Sequence, residues 1–134
     1  MPRHFYFAEY LKEKGIKVGI SSSNSRELIQ MVLEAHGILE YFDCITTCCE
    51  VKRGKPAPDV YLKTAKGLST EPEACLVFED VPMGILAGKR AGMKVCAIDD
   101  AYSRKQEAQK RELADWYILD YTQLVEETRR EDKA

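Results

Sequence analysis

The sequence predicts an α/β fold, a parallel sheet with helices on both faces, built as a single domain of 134 residues. Three features point to it. Segments of helical periodicity alternate with short apolar runs almost to the C-terminus, the order of repeated βαβ units. The run "ACLVF" is apolar throughout, as a strand covered on both faces is. Gly15 and Gly37 close two of the helical segments, and Pro58 opens another.

Taken in order, Phe5 to Lys14 reads as a helix with Phe5, Ala8, Tyr10 and Leu11 toward one face. Strand "KVGIS" follows. Ser25 caps the next helix, whose apolar stripe is Leu28, Ile29, Val32 and Leu33. "YFDCITT" is a short strand, and Pro58 and Asp59 begin a helix carrying Val60, Leu62 and Ala65. "ACLVFE" is a strand, "GILAGKRAG" a small-residue helix and "KVCAID" the next strand. Ser103 to Leu113 reads as a charged surface helix, "WYILD" as a last strand and Thr122 to Arg130 as a terminal helix.

Composition narrows the function. Lysine and arginine total 20 against 22 aspartate and glutamate, so no global positive field is present to hold a nucleic-acid backbone. The sequence has no apolar run of membrane-spanning length and no signal-peptide pattern at its start, which reads as soluble and cytoplasmic. The five cysteines lack the paired spacing of a zinc site and read as free, buried thiols.

Parallel sheets bind ligands beyond the carboxyl ends of their strands, and chemistry-bearing residues gather there. After "KVGI" stand Ser21, Ser22, Ser23, Asn24 and Ser25. Hydroxyls and free backbone N–H groups at a helix start suit a phosphate, and they equally suit ordinary helix capping. Lys55 lies between Gly54 and Pro56, so its backbone is free on one side and stiffened on the other. It reads either as a solvated loop lysine or as a point charge aimed at phosphate oxygens. The absence of a following Ser or Thr rules out a nucleotide-binding P-loop. Glu79 and Asp80 end an apolar strand, where charge is costly without a cation or donor. They read as magnesium ligands or as carboxylates facing water.

Together, "GISSSN", "GKPAPD" and "VFEDVPMGILAGKRAGM" resemble the second, third and fourth motifs of the haloacid dehalogenase superfamily, in the branch of small phosphatases and β-phosphoglucomutase-like enzymes. The resemblance implies a Rossmann-like sheet and magnesium-dependent phosphoryl transfer to or from a small phosphorylated metabolite. It implies that Ser21, Ser22 and Lys55 hold the phosphoryl group and that Ser21 and Lys55 serve catalysis. Glu79 and Asp80 would position magnesium, with Ser23, Asn24 and Ser25 toward the far end of the substrate.

The family's first motif, a central strand ending Asp-x-Asp that supplies the nucleophile, has no counterpart here, and neither has the cap domain. No Asp-x-Asp occurs in the 134 residues. Lysine, serine and magnesium stabilise charge around an attack that another group must make, so these residues alone are expected to be inactive. Strands "KVGIS" and "ACLVFE" would then either pair directly, receive a strand from a second copy, or belong to a longer enzyme, the last being the expectation because uncharged, proline-free edges are an aggregation hazard. A non-catalytic module that binds a phosphorylated ligand or dimerises is the rival, and a receiver-like protein using Asp99 or Asp100 fits the motif order poorly. The longer-enzyme expectation is checked by intact mass of the purified protein, which should exceed 15.3 kDa; a mass at that value overturns it.

Overall fold

A computed structural model describes residues 3–121, 123 and 124. Helices α1 (Arg3–Glu13), α2 (Arg26–Ala35), α3 (Asp59–Gly67), α4 (Pro82–Arg90) and α5 (Glu107–Leu113) alternate with strands β1 (Gly19–Ser22), β2 (Cys44–Thr47), β3 (Leu76–Glu79), β4 (Lys94–Ile98) and β5 (Trp116–Ile118). Local sequence sets the borders. Ser25 accepts a hydrogen bond from the Leu28 amide at 3.2 Å and caps α2. At the other end Gly37 takes φ +66°, and the Ile38 amide donates back to the Leu33 carbonyl at 3.0 Å. This left-handed stop folds Ile38, fully buried, against Ile29 and Leu33.

Every strand pair is parallel, as the βαβ alternation requires. The pairs form two sheets, β1–β2 and β3–β4–β5. Along β4 the faces separate cleanly: Val95 and Ala97 join Val60, Ala65, Val77 and Ile85 in the main core beneath α3 and α4. Cys96 and Ile98 pack on the opposite face with Ile118, Phe78, Tyr121 and Leu124. Apolar side chains therefore lie on both sides of this sheet.

Among the described residues, no strand pairs with the free edges of β1 and β3, and these two edges do not pair with each other. Helix α3 joins the two sheets instead. Its Val60, Tyr61 and Ala65 belong to the core around β3 and β4, while Thr64 hydrogen-bonds Ser21 on β1 through the two hydroxyls at 2.6 Å. A Cβ at Gly19 would stand 2.8 Å from Thr64 Cγ2, so glycine is what lets α3 approach β1 this closely.

Several sequence expectations shift. Within the α2 stripe only Ile29 and Leu33 are buried; Leu28 and Val32 are exposed beside Met31, because the sheet covers a narrower arc than the apolar residues span. Leu62 on α3 is likewise exposed. On β3 Val77 and Glu79 are buried but Leu76 is not, since Tyr121 and Leu124 cover that face only as far as Phe78. Of the five free cysteines only Cys96 is buried, and Cys49 is exposed. The surface helix begins at Glu107 after a 3-10 turn, and it turns one lysine, Lys110, wholly inward. The terminal helix expected from Thr122 to Arg130 lies outside the described residues except for 123 and 124. No helix among the described residues is long and apolar enough to cross a membrane.

Gly88 shows how closely α4 sits on the sheet: a Cβ there would lie 2.7 Å from Val95 Cγ2 and 3.4 Å from Val77 Cγ2. Gly88→Ala is expected to cost about 1–3 kcal/mol by overpacking. The measurement is urea unfolding, with a lower midpoint at unchanged slope.

Candidate active site

A cleft of ≈ 610 Å³ opens at the carboxyl ends of β1, β3 and β4. Ser21, Ser22, Ser23, Asn24, Lys55, Glu79 and Asp80 line it, together with Phe78, Ile98, Asp99, Asp100 and Tyr121. Residues drawn from both sheets thus meet across the break between β1 and β3.

The serines divide their duties. Ser21 directs its hydroxyl to Thr64. Ser22 accepts from the Asn24 amide at 3.0 Å, which turns the chain out of β1 toward α2, and Ser25 is the helix cap. Ser23 Oγ lies 3.7 Å from Cys48 Sγ. Helix capping and a cleft-lining strand end coexist here, so the two sequence readings of this run are compatible.

Of the three bases in the loop before α3, Lys52 and Arg53 are exposed and Lys55 is turned inward. Its side chain keeps only 14% of its accessible surface. The Lys55 ammonium donates to the Glu79 carboxylate and, at 3.4 Å, to the Ser21 carbonyl, and it lies over the Tyr61 ring at 4.9 Å. Tyr61 donates its hydroxyl to the same Glu79 oxygen. Burial first, and then the Glu79 charge, push the Tyr61 phenol far above its ordinary range, so it stays a donor.

Glu79 is buried at 7% exposure, and the carboxylate needs the space that Gly84 leaves open, since a Cβ there would overlap it. Asp80 stands at the open rim of the cleft. Lost hydration on its inner side, followed by the Glu79 charge, raises its carboxyl above the usual carboxylate value. Asp99 shows the opposite behaviour: Arg104, bonded at 2.7 Å, and then Tyr117 at 3.1 Å hold its carboxyl below that value. Asp100 accepts from the Tyr102 amide at 3.2 Å in a turn.

Magnesium uses one or two carboxylates, with waters and substrate phosphate completing its shell. Asp80 fits that requirement, being a rim carboxylate whose negative form lost hydration and the Glu79 charge disfavour more than its own amide and Lys110 favour it. Glu79 lines the same cleft, but its carboxylate is engaged by Lys55 and Tyr61. Among the described residues no three Asp, Glu, His or Cys side chains converge as a complete metal cage. Tyr61 and Thr64 carry no sequence signal, because their partners are 18 and 43 residues away. Asp99 was visible only as a carboxylate after a strand, and its pairing with Arg104 and Tyr117 makes it a structural anchor.

The raised Asp80 carboxyl has a consequence for stability. The folded chain disfavours the ionised form, so stability is fullest below the unfolded carboxyl pKa of about 3.9 and is lost as pH rises through the higher folded value. Asp80→Asn is therefore expected to raise the thermal midpoint at neutral pH, with the difference vanishing near pH 3. Thermal scans across that range check it; an Asn variant less stable at pH 7 overturns it.

With this geometry in place, comparisons with known proteins are specific. A family model for haloacid dehalogenase-like hydrolases matches residues 4–98. The bifunctional riboflavin kinase/FMN phosphatase of Arabidopsis thaliana is 43% identical over 90 residues, covering 66% of this chain and 24% of that protein. The validoxylamine A 7'-phosphate phosphatase of Streptomyces hygroscopicus subsp. limoneus is 32% identical over 114 residues, covering 85% and 52%. Among solved structures, a β-phosphoglucomutase from Clostridium difficile superposes with a TM-score of 0.75 at 26% identity, covering 100% of this chain and 58% of that one. A haloacid dehalogenase-family hydrolase from Deinococcus radiodurans, with bound phosphate and sodium, gives 0.77 at 28% identity, covering 90% and 55%. The chain thus spans from a quarter to somewhat over half the length of these four relatives. It belongs to the haloacid dehalogenase-like hydrolases.

Proposed function

We propose that these residues form the phosphate-binding and acidic half of a magnesium-dependent phosphoryl-transfer site, in a phosphatase or phosphosugar mutase acting on a small phosphorylated metabolite. The observation that carries this is the placement of Lys55: a cation turned inward between the Ser21 strand end and the Glu79 strand end. A lysine so placed neutralises phosphate oxygens as charge shifts during transfer. In this proposal the Ser21 hydroxyl turns from Thr64 to the phosphoryl group beside the Ser22 amide, Ser23 and Asn24 stand further along the cleft toward the rest of the substrate, and Ser25, expected there too, caps α2 outside the cleft lining. Glu79 fixes the lysine, and Asp80 would hold magnesium with help from waters and phosphate. Magnesium, when bound, supplies charge neutralisation and orientation of the phosphate.

The 134 residues contain no Asp-x-Asp, so the attacking carboxylate comes from elsewhere in this proposal. The unpaired edges of β1 and β3 are where a strand carrying it would enter, from a longer polypeptide or from a second copy. The phosphatases named among the relatives favour a phosphomonoester of a metabolite over a polymer.

A non-catalytic phosphate-binding or dimerisation module is the second reading, favoured by the same missing carboxylate. Inorganic phosphate titrated calorimetrically into a 134-residue monomer of verified mass separates the two, since binding there without any route to turnover supports the module.

For the leading reading, the 134-residue chain should show no magnesium-dependent hydrolysis of p-nitrophenyl phosphate. Turnover that persists through repurification and disappears in Asp80→Asn overturns it. In a form completed by an Asp-x-Asp strand, Lys55→Ala should lower kcat by about 10²–10³-fold, the scale of losing one charge-stabilising donor.

A further inference from the structure

We infer that Lys110 is a positioning residue for Asp80, acting through Ser103. Helix α5 is charged on its exposed faces, yet Lys110 has no accessible surface at all. Its ammonium donates to the Ile98 carbonyl at 2.6 Å and to Ser103 Oγ at 3.0 Å, and lies 5.6 Å from the centre of the Tyr117 ring. Ser103, itself 3% exposed, donates its hydroxyl to the Asp80 carbonyl at 2.7 Å. Its amide donates to the Asp100 carbonyl at 3.1 Å. One buried cation therefore gathers the carboxyl ends of β3 and β4 and the turn after β4, all of which border the cleft.

Stability alone gives no reason for a lysine here. Burying an ammonium costs several kcal/mol, and among the described residues no carboxylate bonds to its Nζ to offset that. A methionine of similar length would fill the space without the charge. What only the lysine supplies is a three-donor head that holds the Ser103 hydroxyl and the Ile98 carbonyl in one arrangement. Ser103 then has its lone pair occupied by Lys110 and its proton committed to Asp80, so the rim carboxylate sits on a tethered backbone. Groups of this kind, behind a metal ligand, set its orientation and its affinity.

The inference rests on the reading of Asp80 as the carboxylate that would hold magnesium, and the test separates the two. The ¹⁵N-labelled chain and its Ser103→Ala and Lys110→Met variants are compared by ¹⁵N backbone relaxation and by Mn²⁺ titration, following line broadening at residue 80. Order parameters at Asp80 and Val81 are expected to fall in both variants, from the rigid-backbone value of about 0.85 toward about 0.6, with Ile20 and Ile45 on the other sheet unchanged. Ser103→Ala, studied well below its own unfolding midpoint, is also expected to need on the order of tenfold more Mn²⁺ for the same broadening. Wild-type order parameters at 80 and 81 in Ser103→Ala overturn the tether even if Lys110→Met fails to fold. No broadening at Asp80 in the unmutated chain overturns the metal reading instead, and the relaxation comparison still decides the tether.

Discussion

The buried contact of Lys55 with Glu79 and Tyr61 is the constraint on which the site depends. It closes the floor of a break between two sheets that share no hydrogen-bonded ladder. Such a pair is weak evidence for net stability, because desolvating both charges consumes most of their attraction. Its force is conditional: with either partner gone, the other is a lone charge in the interior. The pair therefore fixes geometry more than it adds free energy. Gly84 belongs to the same device, since any side chain there would displace the carboxylate.

Helix α3 converts that local constraint into an architecture. Tyr61 points from it into the β3–β4 core, and Thr64, one turn later, reaches the Ser21 hydroxyl on β1. Residues three apart on a helix share a face, so a single turn of α3 registers one sheet against the other. The edges left between them carry unpaired backbone groups, each costing about 1–3 kcal/mol if buried without a partner. Lys55 meets the Ser21 carbonyl near the end of β1. The cleft and the unpaired strand edges of the described residues are thus the same place.

Much of this was legible in the sequence where the signal is local. Ser25 and Gly37 bracket α2 because capping and left-handed stops depend on neighbours in the chain. The parallel arrangement followed from alternation, and the convergence of Ser21, Glu79 and Asp80 from their common position at strand ends, with Lys55 from the stiffened loop before α3. What was not legible depends on contacts remote in sequence. The partners of Glu79 come from 18 and 24 residues away, and nothing near Tyr61 marks it as a donor to a carboxylate. Lys110 looked like its exposed neighbours Lys105 and Arg111, because periodicity in a strongly charged helix does not reveal which charge is turned inward. Leu28 and Val32 misled for the converse reason: an apolar stripe states what a helix can bury, not how wide a surface the fold presents to it.

The two carboxylates Asp80 and Asp99 border one cleft and lie in opposing fields, and that difference bears on their roles. Asp99 has a guanidinium and a phenol already bonded to it, so a further cation would gain little there. Asp80 faces lost hydration and the adjacent Glu79 charge, with its backbone tied down by Ser103. A divalent cation would relieve the greater penalty at Asp80. Environments that push neighbouring acids apart in this way assign them different work on the same fold.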